Sequence, residues 1–538
     1  MKANQICENF RGQHVILNGI KLSLEELCSG VLITGAIGSG KTVSWANRLA
    51  KEIASLNSDD QEKKSTIIYF NTKGSGARQF LEKLPESRRS DVIHLTGNKD
   101  CSCRLSLFEI FKWNSPETCR AALVAWIEEV MTQVFDSSES IDHDRQFWLG
   151  QRLNILNTLA SLDVLFPGTD PNFFNALHAL LWRVENFLDF VNQTRFSKKP
   201  NHELKEKFKA AGFNQFDLMQ LRSWISHHRK NKKRPSLLFE QFMNWSRVLL
   251  DEIDPMTASP QELHPFDNFW KTLTSESKKK AEDLFFRYCH LSENTWSCVA
   301  TDLQSIVSFF RQEPLNTLLS PHENVISIEQ VVDEGKILII DCPCSDSGGG
   351  SRGALVAIKI AVMNRLLGRY QLSNHIRPIA LLIDEFHSVT TKGKTDGDDM
   401  FISRCREMGI ITIFATQNLS LLKGVLRSNA KVFGLVSNLK TKVFASNDDL
   451  ITNEFASMCL GLKKPSLAAI PWQKSNRTIR VLQNTDGNVS PIVTPMTFVN
   501  LQRGEAYIVT PSSSYHINAN TKYSKPIVEI LREEGHLA

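Results

Sequence analysis

No run of this chain approaches the roughly eighteen consecutive apolar residues of a membrane-spanning helix. Met1 to Phe10 also lacks the apolar core of a signal peptide. Neither a span nor an export signal is visible, so a cytoplasmic location is expected. Cysteine is sparse: eleven residues are scattered over 538, an odd number and too dilute for a disulfide scaffold. Free thiols in a reducing compartment are expected instead. The pairs Cys101-x-Cys103 and Cys342-x-Cys344, with His290 beside Cys289, lack the spacer of roughly two to four residues usual in zinc sites. Most of these thiols should be small core residues. No internal repeat is evident, and a formal net charge of +5 implies no particular partner. Charged residues at 22% and apolar residues at 42% exclude a disordered or fibrous chain. The length calls for two or three domains.

What the chain does have is a complete phosphate loop. Gly35-Ala36-Ile37-Gly38-Ser39-Gly40-Lys41-Thr42 matches G-x-x-x-x-G-K-[ST]. Gly30 to Thr34 before it reads as a short buried strand, and Val43 to Ala50 after it as a helix with an apolar face. The glycines let the backbone fold closely around a triphosphate, with N–H groups and the helix N-terminus aimed at its oxygens. Lys41 is expected to reach the β- and γ-phosphates and Thr42 to offer its hydroxyl to Mg²⁺. ATP and Mg²⁺ are the ligands this chemistry calls for.

A second acidic strand lies far downstream. Ile379 to Ile383 is an apolar run ending in Asp384-Glu385, the Walker B arrangement, with Asp384 placed to support Mg²⁺ and Glu385 to polarise the attacking water. About 340 residues separate the two motifs, more than one βαβαβ core needs, so an insertion is expected between them. Ser65 to Phe70 and Asp91 to Leu95 are strand signals, whereas Leu105 to about Cys298 is tryptophan-rich and helical in period, as in Cys119–Met131, Phe147–Leu159 and Phe173–Trp182. Strand signals resume at Lys336 to Asp341, followed by an expected glycine loop from Ser345 to Gly353, a helix from Ala354 to Arg369, and strands at Ile410–Gln417 and Thr441–Phe444. A further helix is expected near Asn453 to Leu462. This order predicts an α/β fold, a RecA-like, doubly wound and mostly parallel sheet with a large inserted all-α domain. The domains read as 1–104, 105–298 and 299–538.

With these pieces in order the chain resembles the coupling ATPases of conjugation and type IV secretion, within the FtsK/HerA class of hexameric P-loop motors. Asp384-Glu385-Phe386 looks like the family's Walker B, and Arg404-Cys-Arg406-Glu-Met-Gly409 followed by Ala415-Thr416-Gln417-Asn418 like its basic helix and glutamine strand. Asn438 to Phe444, Asn447-Asp448 and Thr452-Asn453-Glu454 are similar to the next segment. His143-Asp-Arg-Gln-Phe147-Trp148 sits where the inserted domain often carries an aspartate followed by Phe-Trp. Lys73-Gly74 sits where the family often has Asp-x-Lys-Gly, with Asn71 in the acidic position. The resemblance covers about residues 14 to 515. The family's N-terminal membrane segment is missing from it, so docking to a membrane secretion or conjugation complex through a partner is expected. The polar loop Thr391 to Asp399 aligns with no function of the family.

The resemblance implies a homo-oligomer, a hexameric ring, acting on DNA. It implies that Gln417 senses the γ-phosphate, the alternative being an ordinary strand-end amide. Arg404 or Arg406 would act across a subunit interface as an arginine finger, or else be surface arginines on a helix. The run Arg229-Lys230-Asn231-Lys232-Lys233-Arg234, near Lys198-Lys199, Lys205, Lys207 and Lys209, is the best local candidate for contact with a phosphate backbone, or else a solvated loop. Trp148, Trp182, Trp224 and Trp245 read as core rather than as base-stacking platforms. Two other functions fit the same motifs: an ATP-driven adaptor that recruits protein substrates through its helical domain, and a non-motor nucleotide switch in a mobile-element or defence complex.

Overall fold

The structure is a computed structural model that describes residue 10 and residues 12–73, 75–98, 101–107, 116–135, 143–162, 173–195, 274–289, 291–320, 322–342, 349–368, 377–392, 397–461, 491–520 and 523–533. The chain divides into two units, residues 1–108 with 313–538, and residues 109–312.

In chain order the strands of the first unit are β1 (His14–Leu17), β2 (Ile20–Ser23), β3 (Val31–Thr34), β4 (Thr66–Asn71), β5 (Val92–Thr96), β6 (Arg104–Ser106) and β7 (Val325–Ser327). They continue with β8 (Ile337–Asp341), β9 (Ile379–Ile383), β10 (Ile410–Thr416), β11 (Thr441–Ala445), β12 (Glu505–Val509), β13 (Ser514–Asn518) and β14 (Tyr523–Pro526). Ten of them form one sheet in the order β14-β13-β12-β11-β3-β10-β9-β4-β8-β5. From β11 to β5 every pairing is parallel, and β12 to β14 extend the sheet with antiparallel pairs.

The parallel strands read as apolar runs because both faces are covered. Every residue of β3, β4, β9 and β10 is buried. On one face Val31, Ile33, Ile67, Tyr69, Leu382 and Ile413 share a core with Trp45, Leu49 and Ile53 of the segment after the phosphate loop. On the other, Phe386 stacks on Phe414 of β10 with ring centres 4.2 Å apart, and Lys359 of the helix Gly349–Leu367 stands over the Phe386 ring. The first residues of that helix, 349–353, were expected as loop. Two glycines in a first turn cost about 1 kcal/mol each, which the almost continuous burial from Ala354 to Met363 offsets.

Where the parallel strands begin, a buried cluster ties the edge of the sheet together. Asp91 accepts from Lys64 Nζ at 2.7 Å and from Arg88 Nε at 2.8 Å. The remaining guanidinium nitrogens donate to the carbonyls of Ala54, Ser65 and Gly335. Burial pulls the Arg88 pKa down, and the pairing with Asp91 partly opposes it.

The second unit contains the helices Pro116–Phe135, His143–Ala160, Phe173–Arg195, Ser275–Cys289 and Glu293–Arg311. The three expected from periodicity are present and longer, and the last helix runs through residue 298. Its core is aromatic: Trp126 meets Phe173 and Phe310, and Phe187 meets Tyr288 and Trp296. Trp148 and Trp182 are half-buried rather than core. The indole of Trp148 instead packs edge-on against the exposed ring of Phe147. Trp224 and Trp245 lie outside the described residues.

Candidate nucleotide-binding site

The phosphate loop leaves the C-terminal end of β3, between β11 and β10. Its entry is fixed from both neighbours: Gly35 N–H donates to Gln417 O at 3.2 Å and Ala36 N–H to Ser446 O at 2.8 Å. A Cβ on Gly35 would lie 2.5 Å from Ser39 Oγ and 3.0 Å from the Ala445 methyl, so a side chain there would force the loop to shift. Gly40 holds φ +91, a left-handed conformation open mainly to glycine, and turns the chain into a helix. That helix opens as a wide π turn over Lys41–Ala46 before becoming α-helical at Asn47–Ala54. Single π turns are frequent at functional sites.

β10 separates the loop's strand from β9, and this spacing brings Asp384 and Glu385 opposite Lys41 and Thr42. Thr42 Oγ1 lies 3.2 and 3.1 Å from the two Asp384 oxygens. Lys41 Nζ is 2.7 Å from Glu385 Oε1 and 3.6 Å from Asp384 Oδ1. Lys73, just past β4, binds the same Oε1. Asp384 is held in turn by Thr72, whose hydroxyl donates to its carbonyl at 3.1 Å.

Glu385 sits in left-handed backbone, with φ +49 and ψ +49, at a cost of roughly 1–2 kcal/mol for a residue with a Cβ. The buried Phe386–Phe414 stack that follows holds it there. Burial pushes the Glu385 carboxyl up, but the charge and hydrogen bond of Lys41, then those of Lys73, outweigh this and hold it below the usual glutamate range. Its second oxygen, Oε2, is buried and has no hydrogen bond among the described residues; His387 Nδ1 stands 3.5 Å away. The His387 pKa is lowered, first by burial.

A cavity of about 180 Å³ opens here, lined by six of the eight loop residues (Ala36, Ile37, Gly38, Gly40, Lys41 and Thr42) and by Lys73, Gln79, Asp384 and Arg503, among others. A threonine hydroxyl facing a carboxylate is a hard-oxygen donor pair of the kind Mg²⁺ accepts, so the residues present fit that ion.

The sequence-derived candidates divide around this cavity. Gly35 and Ser39 shape the loop from outside the lining, and Gln417 is tied to it through its carbonyl, which also accepts from Asn447 Nδ2 at 2.7 Å. Arg404 lies in the last turn of the helix Asp398–Cys405 and Arg406 follows it; both are exposed and neither lines the cavity. Arg406 lies 3.9 Å from Glu25. Arg229, Lys230, Lys232, Lys233 and Arg234 lie outside the described residues, as do Lys198, Lys199, Lys205, Lys207 and Lys209. Among the described residues no group of three or more His, Cys, Asp and Glu side chains could hold a metal, and no helix is long and apolar enough to cross a membrane. Sequence reasoning did not pick out His387, Gln79 or Arg503, and it knew Lys73 only through resemblance. Asn71, which departs from the family's acidic position, faces Asp341 across the β4–β8 register and donates to it at 2.7 Å.

Residues 378–498, from the start of the Walker B strand, match the TraG-D_C family, described as the TraM recognition site of TraD and TraG. No curated protein matches the sequence. Among solved structures, the bacterial conjugative coupling protein TrwBdeltaN70 in complex with sulphate is 14% identical at a TM-score of 0.54, over 95% of this chain and 89% of that one. The plasmid coupling protein TrwB in complex with ADP and Mg²⁺ gives 14% identity and a TM-score of 0.52 over the same shares. Its complex with the GTP analogue GDPNP gives 14% and 0.52, over 95% of this chain and 90% of that one. The chain thus carries the TraG-D_C segment on the fold of the conjugative coupling proteins, in keeping with the type IV coupling ATPase family that its motifs resemble.

Proposed function

We propose that the protein is an Mg²⁺-dependent ATPase that assembles as a hexameric ring and uses hydrolysis to move or deliver DNA, docked to a membrane secretion or conjugation complex through a partner. The observation that carries this reading is the meeting of Lys41, Thr42, Asp384 and Glu385 at one end of a parallel sheet. Solved relatives in fold bind ADP with Mg²⁺ and a non-hydrolysable ATP analogue.

Loop amides and Lys41 would hold the β- and γ-phosphates, and Thr42 and Asp384 the metal, directly or through water. Bound there, Mg²⁺ neutralises charge developing on the phosphate oxygens. Lys41 cannot serve a phosphate and Glu385 equally well. As Lys41 turns to the phosphate, Glu385 loses a cation that depresses it and becomes a better base toward water. Binding of the substrate would thereby switch on the base. Gln417, anchored against the loop, would relay the state of the γ-phosphate, and Arg404 or Arg406 would supply charge to a neighbouring subunit's site.

Hydrolysis measured with and without duplex and single-stranded DNA, together with the mass of the assembly in ATP, tests the reading. The expected outcome is stimulation by DNA that weakens with salt and a mass of six chains. A monomer whose turnover ignores DNA would sink it. A protein-recruiting adaptor is the second reading, favoured by the TraM-recognition description of the matching family. Specific capture of a protein substrate without any DNA response would select it.

A further inference from the structure

We propose that Arg503 is a nucleotide-contacting residue, supplied by the turn before β12 to the α-phosphate side of the phosphate loop; this rests on the loop's reading as a nucleotide site. Arg503 lines the loop's cavity from the far end of the chain. The turn that carries it is docked on the loop itself. Gly504 N–H donates to Ser39 O at 3.0 Å, and a Cβ on Gly40 would come within 3.3 Å of Gly504 N.

The turn is also braced from behind. Asn520 Nδ2 donates to Arg503 O at 2.7 Å, Ala519 N–H to Gly504 O at 2.8 Å, and Gln502 N–H to Glu505 Oε2 at 3.0 Å. Gly504 holds φ +85, with the Asn520 amide 3.0 Å from where a Cβ would stand. The backbone at Arg503 is therefore fixed, whereas its exposed guanidinium makes no ion pair or hydrogen bond among the described residues. A cation on a rigid mount, without a carboxylate, beside a phosphate-binding loop fits an anion.

Its place selects which anion. Lys41 and Lys73 converge on Glu385, the end to which a terminal phosphate must point if that carboxylate is to activate water. Arg503 belongs instead to the turn beside Ser39 and Gly40, at the opening of the helix. There it meets the part of the nucleotide that ADP and ATP share, the α-phosphate.

The test measures affinity for fluorescent ADP and ATP analogues in the full chain and its Arg503→Ala variant, with Lys41→Ala as reference. Arg503→Ala should weaken both nucleotides alike, by about 10- to 100-fold. Turnover at saturation should stay within about threefold, and the melting temperature without nucleotide should not move. Unchanged affinity, a loss confined to ATP, or a fall in turnover at unchanged affinity would each overturn the assignment. If the unaltered chain binds neither analogue, the nucleotide-site reading itself fails and this inference falls with it. If it binds and only Arg503→Ala is silent, this inference fails alone.

Discussion

Where β4, β5 and β8 begin, Asp91 is held by Lys64 and Arg88; where β3 and β9 end, Glu385 is held by Lys41 and Lys73. Both clusters are buried carboxylates held by two close cations, with Lys336 a third, 3.9 Å from Asp91, yet they differ in how they are completed. Around Asp91 the Arg88 guanidinium is met by three backbone carbonyls, on ordinary backbone. Around Glu385 both cations crowd one oxygen while the other has no hydrogen bond among the described residues, on left-handed backbone. The first arrangement has nothing left to do but hold strands together. The second stores strain and unused hydrogen-bonding capacity, as a site that exchanges partners during a reaction would.

Substitutions at the two ends should separate these roles. Glu385→Gln should lower hydrolysis about a thousandfold, equivalent to roughly 4 kcal/mol, with ATP binding equal or tighter because Lys41 no longer has a competing carboxylate. Turnover at the original rate would remove Glu385 from the mechanism. Arg88→Ala should cost about 3–5 kcal/mol of stability, since it leaves Asp91 short of a partner and three buried carbonyls without donors. Urea unfolding read by tryptophan fluorescence checks this, and a loss under 1 kcal/mol would contradict the clamp. In the helical unit, Trp126→Ala should cost about 3 kcal/mol by opening the contacts to Phe173 and Phe310. Affinity for ADP should stay as it was, because the whole cavity belongs to the other unit.

The smallest effect concerns pH. Because Glu385 is depressed in the folded chain, its contribution to stability is present above the unfolded glutamate value of about 4.3 and lost as pH falls through the folded value. Lys73→Ala removes one of the depressing cations. Unfolding below about pH 5 should then lose less stability in the variant than in the unaltered chain, by under about 1 kcal/mol. A steeper acid loss would reverse the sign and discard Lys73 as a cause.

What could be read from the sequence follows from how each feature is built. The loop at Gly35 to Thr42 and the acids at Asp384-Glu385 are contiguous, and each is framed by residues whose periodicity declares strand or helix. Even the switch from sheet to helices near residue 105 leaves a compositional trace. Arg88 and Arg503 leave none. Arg88 is one arginine in a polar stretch, and what makes it a clamp is three carbonyls drawn from distant segments. Arg503 acquires its place only when an antiparallel hairpin folds back over the loop. The helix at Gly349 was misread for the opposite reason: its local preference is loop-like and tertiary burial overrides it.

The short parallel pair of β6 and β7 has a consequence for how such a chain can vary. The register sets Arg104 beside Val325 and Ser106 beside Ser327, and Arg104 Nε is tied to Thr317 O at 2.7 Å. The segment that leaves the sheet unit and the one that returns are thus stitched side by side, whatever lies between them. To the sheet unit, about two hundred intervening residues cost only modestly more to close than a short turn, because the entropy of closing a loop grows only with the logarithm of its length, about 0.6 kcal/mol per doubling. Lineages could lengthen, shorten or exchange the helices at that doorway without re-registering a single strand behind it.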